Sequence, residues 1–268
     1  MRNSVITFLL SFCASSGFGT ISTNLDLSDL FRGHEGCFVL YATQTDNFVR
    51  YNSNACRERF SPCSTFKIAN SLIALDTGVS SGPEFTLKWN GTRYPFDSWN
   101  RDQNMSSAFS NSVLWYYQEI ANRIGPVRMS NYVHRFNYGN CDTSGGITNF
   151  WLESTLQISA DEQVAFLRRL WENALPVGRD AQRITRGLMK ISVDAEGRIL
   201  CGKTGTGGDA RANVARLGWF VGCVQAGDHK VFFATRIKGA PDASGRLARQ
   251  ITEAILAKLK LWNSDPRG

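Results

Sequence analysis

No stretch of this chain is apolar for long enough to cross a bilayer. The longest candidate, residues 5–14 (VITFLLSFCA), is too short to span one, which sets aside an integral membrane protein. Metal signatures are missing too. The three histidines, His34, His134 and His229, are isolated and there is no C-x-x-C pair. Zinc is therefore not expected, and each histidine reads as a surface or packing residue. Basic residues are scattered, with "LRRL" at 167–170 the nearest approach to a cluster, so no stripe marks a nucleic-acid partner. No internal repeat or low-complexity linker divides the chain.

What is present is a chain of 268 residues, 43% hydrophobic and 12% aromatic. That is enough to close a sizeable core and to exclude disorder. The net charge of +7 reads either as solubility or as a field that draws in anions. Residues 1–19, "MRNSVITFLLSFCASSGFG", combine one cation, a short apolar run and small residues. They read as a cleavable signal peptide, leaving residues 20–268 as a single soluble, exported domain with no stable membrane association. Of seven cysteines, Cys13 leaves with the leader. Export permits disulfides. Cys56 and Cys63 are a candidate local pair, although sequence alone does not settle connectivity. Cys37, Cys141, Cys201 and Cys223 read as small core residues.

Residues 37–52 read as a β-hairpin. Four helical patterns follow, at 64–78, 111–125, 159–175 and 179–191. The third opens on a Ser159-x-x-Glu162 cap. Strand patterns return at "RILCGK", "RLGWFVGCV" and "KVFFATRIK", and a helix closes the chain over 244–261. Strands at both chain ends and helices between them predict an α+β, two-lobed fold. Its antiparallel sheet would be built from both termini, with flanking helices and an inserted all-helical lobe. A cleft between the lobes is the expected place for a site.

Residues 197–204, "GRILCGKT", match the phosphate-loop pattern G-x-x-x-x-G-K-[ST]. That motif needs a strand before it and a helix after it. Here "SVDAE" reads as a turn before it, "RILC" reads as strand, and another strand follows a glycine-rich segment. The order predicts a hairpin, with Lys203 and Thr204 ending a strand.

Ser64 and Lys67 in "STFK" lie three apart, on one face of a helix. A serine there serves as a nucleophile if the nearby amine is neutral, and burial supplies that neutrality. Taken alone, Ser-x-x-Lys is weak and reads as well as a helix-start serine followed by a solvated lysine. It is followed, however, by "SVL" (112–114), "YGN" (138–140), "FWLE" (150–153) and "KTG" (203–205). In order and spacing these resemble the class D, oxacillinase-type serine β-lactamases, and the likeness covers essentially all of the chain after the leader.

The resemblance implies roles. Ser64 would attack the lactam carbonyl. Lys67 would carry a carbamate formed with CO2 from bicarbonate (an N6-carboxylysine), stabilised by the indole N–H of Trp151, and serve as general base. Ser112 would relay protons to the leaving nitrogen. Lys203 and Thr204 would hold the substrate carboxylate on the Lys203-Thr204-Gly205-Thr206 strand, and the N–H groups of Ser64 and Thr206 would form the oxyanion hole. No metal would be needed. Leu114 and Leu152 would line the site beside the carbamate. Leu114 departs from the family's usual valine, which bears on turnover rate. Tyr138 and Asn140 would shape the cleft or simply form a turn. Arg246 and Arg249 are both candidates for a carboxylate contact. The expected partner is a small β-lactam, the location the periplasm, and the assembly a monomer or homodimer. The alternatives are a β-lactam sensor domain and a penicillin-binding transpeptidase or carboxypeptidase.

Overall fold

The computed structural model describes residues 26–208 and 216–263. The leader read into residues 1–19 therefore lies outside the described residues. The main sheet contains β1 (Glu35–Ala42), β2 (Asn47–Tyr51), β5 (Lys190–Val193), β6 (Ile199–Gly207), β7 (Leu217–Ala226) and β8 (His229–Lys238). All neighbours are antiparallel, in the order β2-β1-β8-β7-β6-β5. Strand β1 from one end of the chain lies against β8 from the other, Glu35 opposite Lys238. A second, minimal sheet pairs β3 (Thr86–Leu87) with β4 (Gln103–Asn104).

Helices α1 (Ser28–Phe31) and α2 (Ser53–Arg57) flank the first hairpin. Between β2 and β5 run α3 (Lys67–Asp76), α4 (Met105–Ser110), α5 (Leu114–Ile124), α6 (Pro126–Arg135), α7 (Ala160–Trp171) and α8 (Arg179–Leu188). Helix α9 (Gly245–Lys258) follows the sheet. Their starts follow local chemistry. The Ser159 hydroxyl accepts from the Glu162 N–H at 3.2 Å and the Glu162 carboxylate accepts from the Ser159 N–H at 2.9 Å, a reciprocal cap on α7. Pro126 opens α6, where its missing N–H is harmless.

Alternate strand residues face opposite layers. Cys37, Val39, Trp219, Val221 and Ala234 join one cluster with α3, α5 and α7, whereas Phe38, Leu40, Phe220, Val231 and Phe233 join another with Ile251 and Ile255 of α9. Because both faces are covered, the strands carry apolar residues at successive positions rather than every second one.

Three expectations change. The inserted lobe is not all-helical: Asp102 accepts from the Trp89 N–H at 2.9 Å and from Lys88 Nζ at 2.7 Å, closing the 88–102 loop and bringing β3 to β4. Two-residue strands are too short to show a period. Second, Cys56 and Cys63 are both free thiols. Cys56 Sγ lies 3.4 Å from the carbonyls of Phe38 and Tyr51, while Cys63 Sγ turns to Ser61, 3.7 Å from its carbonyl. The helix end and proline turn between the two cysteines aim them at different neighbours. Third, Ser192 and Val193 still belong to β5, and the turn closes with the Gly197 N–H on the Asp194 carbonyl at 3.0 Å. Strands β5 and β6 are then adjacent and antiparallel, and Lys203 and Thr204 sit within β6, not before a helix. No phosphate loop forms.

Candidate active site

The chain enters the site through Ser61 and Pro62. Cys63 takes a positive φ of 49°, and a 3-10 turn over Cys63–Phe66 runs straight into α3. A non-glycine residue there is uncommon and marks a constrained corner. Ser64 is thereby presented at the start of a helical run, half-buried and facing the cleft.

Lys67 follows one turn later. Its Nζ is 2.8 Å from Ser64 Oγ and the residue is 1% exposed. Every residue of α3 from Lys67 to Ala74 is buried, so the amine has no route to bulk water along its own helix. Burial, with the charge of Lys203 as a second cause, holds its pKa well below the ordinary lysine value. A neutral amine within hydrogen-bond reach of a hydroxyl is the arrangement a serine nucleophile requires.

Trp151 is fully buried and its ring stacks on Phe66, the neighbour of Lys67, with centroids 5.6 Å apart. Its indole N–H has no hydrogen-bond partner among the described residues. Leaving such a donor unpaired costs about 1–3 kcal/mol. The ring next to Lys67 in sequence, Phe66, thus packs against a buried donor that has no acceptor among the described residues.

Ser112 lies between α4 and α5 with a φ of 56°. Its hydroxyl accepts from Lys203 Nζ at 3.1 Å, and the same Nζ donates to the Thr204 carbonyl at 3.2 Å. Burial pushes the Lys203 pKa down to about 7. Strand β5 accompanies β6 only as far as Cys201, so the edge of β6 over 203–207, still paired with β7 on its other side, is open to the nucleophile turn. A Cβ on Gly205 would come within 2.9 Å of the Pro62 carbonyl and 3.2 Å of Thr65 Cγ2. Only glycine lets the nucleophile turn pack directly on the strand.

These parts surround a cavity of about 440 Å³ lined by Ser64, Ser112, Leu114, Leu152, Thr204 and Thr206, together with Asn111, Phe96, Ser98 and Trp99. The penicillin-binding-protein transpeptidase domain family matches residues 36–257. The probable β-lactamase YbxI of Bacillus subtilis is 38% identical over 90% of this chain and 87% of its own. The class D β-lactamase BAT-2 superposes with a TM-score of 0.84 at 37% identity, covering 91% of this chain and all of that one.

The chain belongs to the class D β-lactamase family.

A sensor shares the same frame. The C-terminal domain of the Bacillus licheniformis BlaR penicillin-receptor superposes with a TM-score of 0.85 at 33% identity, over 89% of this chain and 96% of that domain. The chain spans 38% of the length of the regulatory protein BlaR1 of that species.

Within this class D framework, Ser64, Lys67, Ser112 and Lys203 form two linked pairs, and Leu114, Leu152, Thr204 and Thr206 reach the cavity. Tyr138 and Asn140 do not line it. Tyr138 is 1% exposed, packed edge-on against Phe66 and Phe166 at 5.6 and 5.0 Å, behind the site. Asn140 is exposed, its amide donating to the Thr155 carbonyl at 2.8 Å and its oxygen accepting from the Gln157 N–H at 2.9 Å. The turn reading of that segment is the one the structure carries. Arg249 donates to Glu253 at 2.7 Å, with its guanidinium 5.9 Å from the ring of Phe220, which packs with α9. Arg246 is exposed on α9.

Two further features complete the site. Phe96 and Trp99 pack together at 4.9 Å on the cavity wall, and the Trp99 indole donates to the Asn111 carbonyl at 3.0 Å. The other is Ser61. Its hydroxyl donates to the Trp151 carbonyl at 2.8 Å and accepts from the Glu153 N–H at 2.8 Å. Its own carbonyl accepts from the Trp219 indole at 2.9 Å. Ser61 thus ties the segment carrying Trp151 to the turn carrying Ser64. These partners lie 90 or more positions away, and no local signal marks them.

Proposed function

We propose that this chain hydrolyses the lactam amide of penicillin-type antibiotics through an acyl-enzyme on Ser64, with Lys67 carbamylated on Nζ. The observation that carries the reading is the buried Lys67 amine, 2.8 Å from Ser64 Oγ; the Trp151 indole, on a ring stacked against the neighbouring Phe66, is a buried donor without an acceptor among the described residues. Only a neutral amine reacts with CO2, and the anion so formed survives burial only if hydrogen-bonded. Trp151 fits that requirement. The carbamate supplies a base stronger in acceptors than a bare amine.

In this reading Lys67 takes the Ser64 proton as Oγ attacks the carbonyl carbon. The N–H groups of Ser64 and Thr206 hold the oxygen as it becomes negative. Ser112, already bonded to Lys203, passes a proton to the departing ring nitrogen, while Lys203 and Thr204 hold the substrate carboxylate. Lys67 then draws a proton from the water that cleaves the ester. Leu114 and Leu152, both on the cavity wall, govern how readily that water enters. The 1–19 leader would deliver the enzyme to the periplasm, where hydrolysis confers β-lactam resistance.

The BlaR domain makes slow deacylation the reading to separate from this one. A time course with a chromogenic cephalosporin and with oxacillin does so. Sustained turnover over many equivalents is expected, and release of a single equivalent followed by a stable acyl-protein would assign the chain to the sensors.

A further inference from the structure

Helix α7 meets the segment that leads into the nucleophile turn through a run of neighbouring residues. Phe60 and Ile158 exchange backbone hydrogen bonds at 3.0 and 2.8 Å. Asp161 accepts from Arg50 Nε at 2.9 Å, and Glu162 pairs with Arg59. Gln163, the next residue, is fully buried and reaches the turn itself. Its Nε2 donates to the Thr65 hydroxyl at 2.9 Å, and that hydroxyl donates to the Pro62 carbonyl at 2.7 Å. A carbonyl can only accept, so Thr65 spends its single proton on Pro62 and the side of the Gln163 amide that faces it is the donor side. Gln163 Oε1 has no partner among the described residues. Phe66, the residue after Thr65, and Phe166, three positions after Gln163, both pack edge-on against the Tyr138 ring. The link between Gln163 and Thr65 thus lies in a buried, aromatic part of the core.

We propose that Gln163 is a positioning residue for the nucleophile: its amide holds the Thr65 hydroxyl on the Pro62 carbonyl and so fixes the 62–65 corner that aims Ser64. The inference rests on the acyl-enzyme reading above. The corner is one that needs holding. Cys63 sits at a φ of 49°, uncommon for a residue with a side chain, and the Pro62 carbonyl also accepts from the Thr65 N–H at 3.1 Å. On the other side β6 presses against the same atoms, where only the missing Cβ of Gly205 leaves room for the Pro62 carbonyl and Thr65. Thr65 is therefore gripped between β6 and α7. Gln163 touches no substrate and acts only through Thr65. Without its amide the Thr65 hydroxyl loses the donor that fixes its orientation, and Ser64 Oγ loses its hold on the position 2.8 Å from Lys67 Nζ. A misplacement of about 1 Å at a reacting atom costs up to about 10²-fold in rate. Lys203 and Thr204, which would hold the substrate carboxylate, stay in place, so the effect falls on rate and not on affinity.

The test follows acylation of Ser64 by intact-protein mass spectrometry over a range of penicillin concentrations, which reads the maximal rate and the half-saturating concentration separately. Gln163→Met keeps the length of the side chain and removes the donor. Its maximal acylation rate should fall by about 10-fold or more, with the half-saturating concentration within about 2-fold of the parent's. Gln182→Met is the comparison. Gln182 is also buried, donates to the carbonyls of Leu175 and Val177 at 3.3 and 3.0 Å, and leaves its own Oε1 without a partner among the described residues, yet none of its partners belongs to the site. That variant should acylate at the parent rate. Gln163→Glu reads the hydrogen bond itself. A protonated carboxyl donates to Thr65 as the amide does, whereas an ionised one only accepts and draws the Thr65 proton away from Pro62. Its rate relative to the parent should be near parity at about pH 5 and fall by about 5-fold or more by about pH 9. Gln163→Met at the parent rate, an equal loss in Gln182→Met, or a Gln163→Glu ratio that does not change with pH would overturn the proposal. The pH ratio decides the matter even if Gln163→Met fails to fold. A parent chain that gains no penicillin mass would instead overturn the acyl-enzyme reading beneath it.

Discussion

On the α9 side of the sheet, the buried hydroxyls of Thr235 and Thr252 satisfy each other at 2.6 Å, and Thr252 also donates to the Ala248 carbonyl at 2.7 Å. The opposite side is buried to the same degree but holds Lys67, Lys203, Arg236, Asn70 and Gln163. Polar atoms of Arg236, Asn70, Gln163 and Trp151 there have no partner among the described residues. Two faces of one sheet thus differ in what they bury. The α9 side is mostly apolar and leaves one donor, the Trp262 indole N–H, without a partner among the described residues. The other keeps amines away from water and leaves several donors and acceptors unmatched, features that lower stability and that catalysis can use.

The strongest way to break this contrast is Lys67→Met. It should lower kcat/KM by about 10³-fold or more while raising stability at neutral pH by on the order of 1–2 kcal/mol. The sign follows from protons. The folded chain sheds the Lys67 proton at a pKa well below 10.5, whereas the unfolded chain keeps it up to about 10.4. Between those values the unfolded state binds more protons, so stability rises with pH across the window. Unfolding at pH 7 and pH 9 should show that slope in the parent and a weaker one in the variant. A variant less stable than the parent at pH 7 would break the contrast.

Next in size is Trp151→Phe, which keeps a ring to stack on Phe66 and removes only the N–H. An activity loss of about 10-fold is expected, largely recovered in saturating bicarbonate. Parent-level activity with no bicarbonate response would reduce Trp151 to a core aromatic. The smallest effects compare one hydroxyl removed on each face. Ser61→Ala and Thr252→Val should each cost about 1–2 kcal/mol in unfolding experiments. Only Ser61→Ala should also lower kcat, by about 3-fold, because it alone releases the segment carrying Trp151. Equal kcat values in the two variants would remove Ser61 from the positioning role.

Much of this was legible in the chain itself. Apolar strand patterns at both ends foretold one antiparallel sheet built from both termini, and the Ser159–Glu162 cap announced the start of α7. The ordered motifs led to Ser64, Lys67, Ser112 and Lys203 because each sits on, or directly beside, a helix or strand whose own pattern is readable. What stayed hidden depends on distant partners. Ser61 looks like an ordinary residue before a proline until Trp151, Glu153 and Trp219 arrive from elsewhere in the fold. Tyr138 reads as cleft chemistry because Tyr-Gly-Asn is a motif, yet Phe66 and Phe166 take its ring into the core. Cys56 and Cys63 are close in sequence, but backbone direction, not spacing, decides where a thiol points.

The neutral, water-poor environment of Lys67 is the centre of the account. Its most direct test is a 13C NMR spectrum of the enzyme in labelled bicarbonate. One carbamate carbon per chain is expected at neutral to alkaline pH, disappearing on acidification and absent from Lys67→Met. A spectrum without that carbon, together with a Lys67 side chain that stays protonated through pH 8, would contradict it.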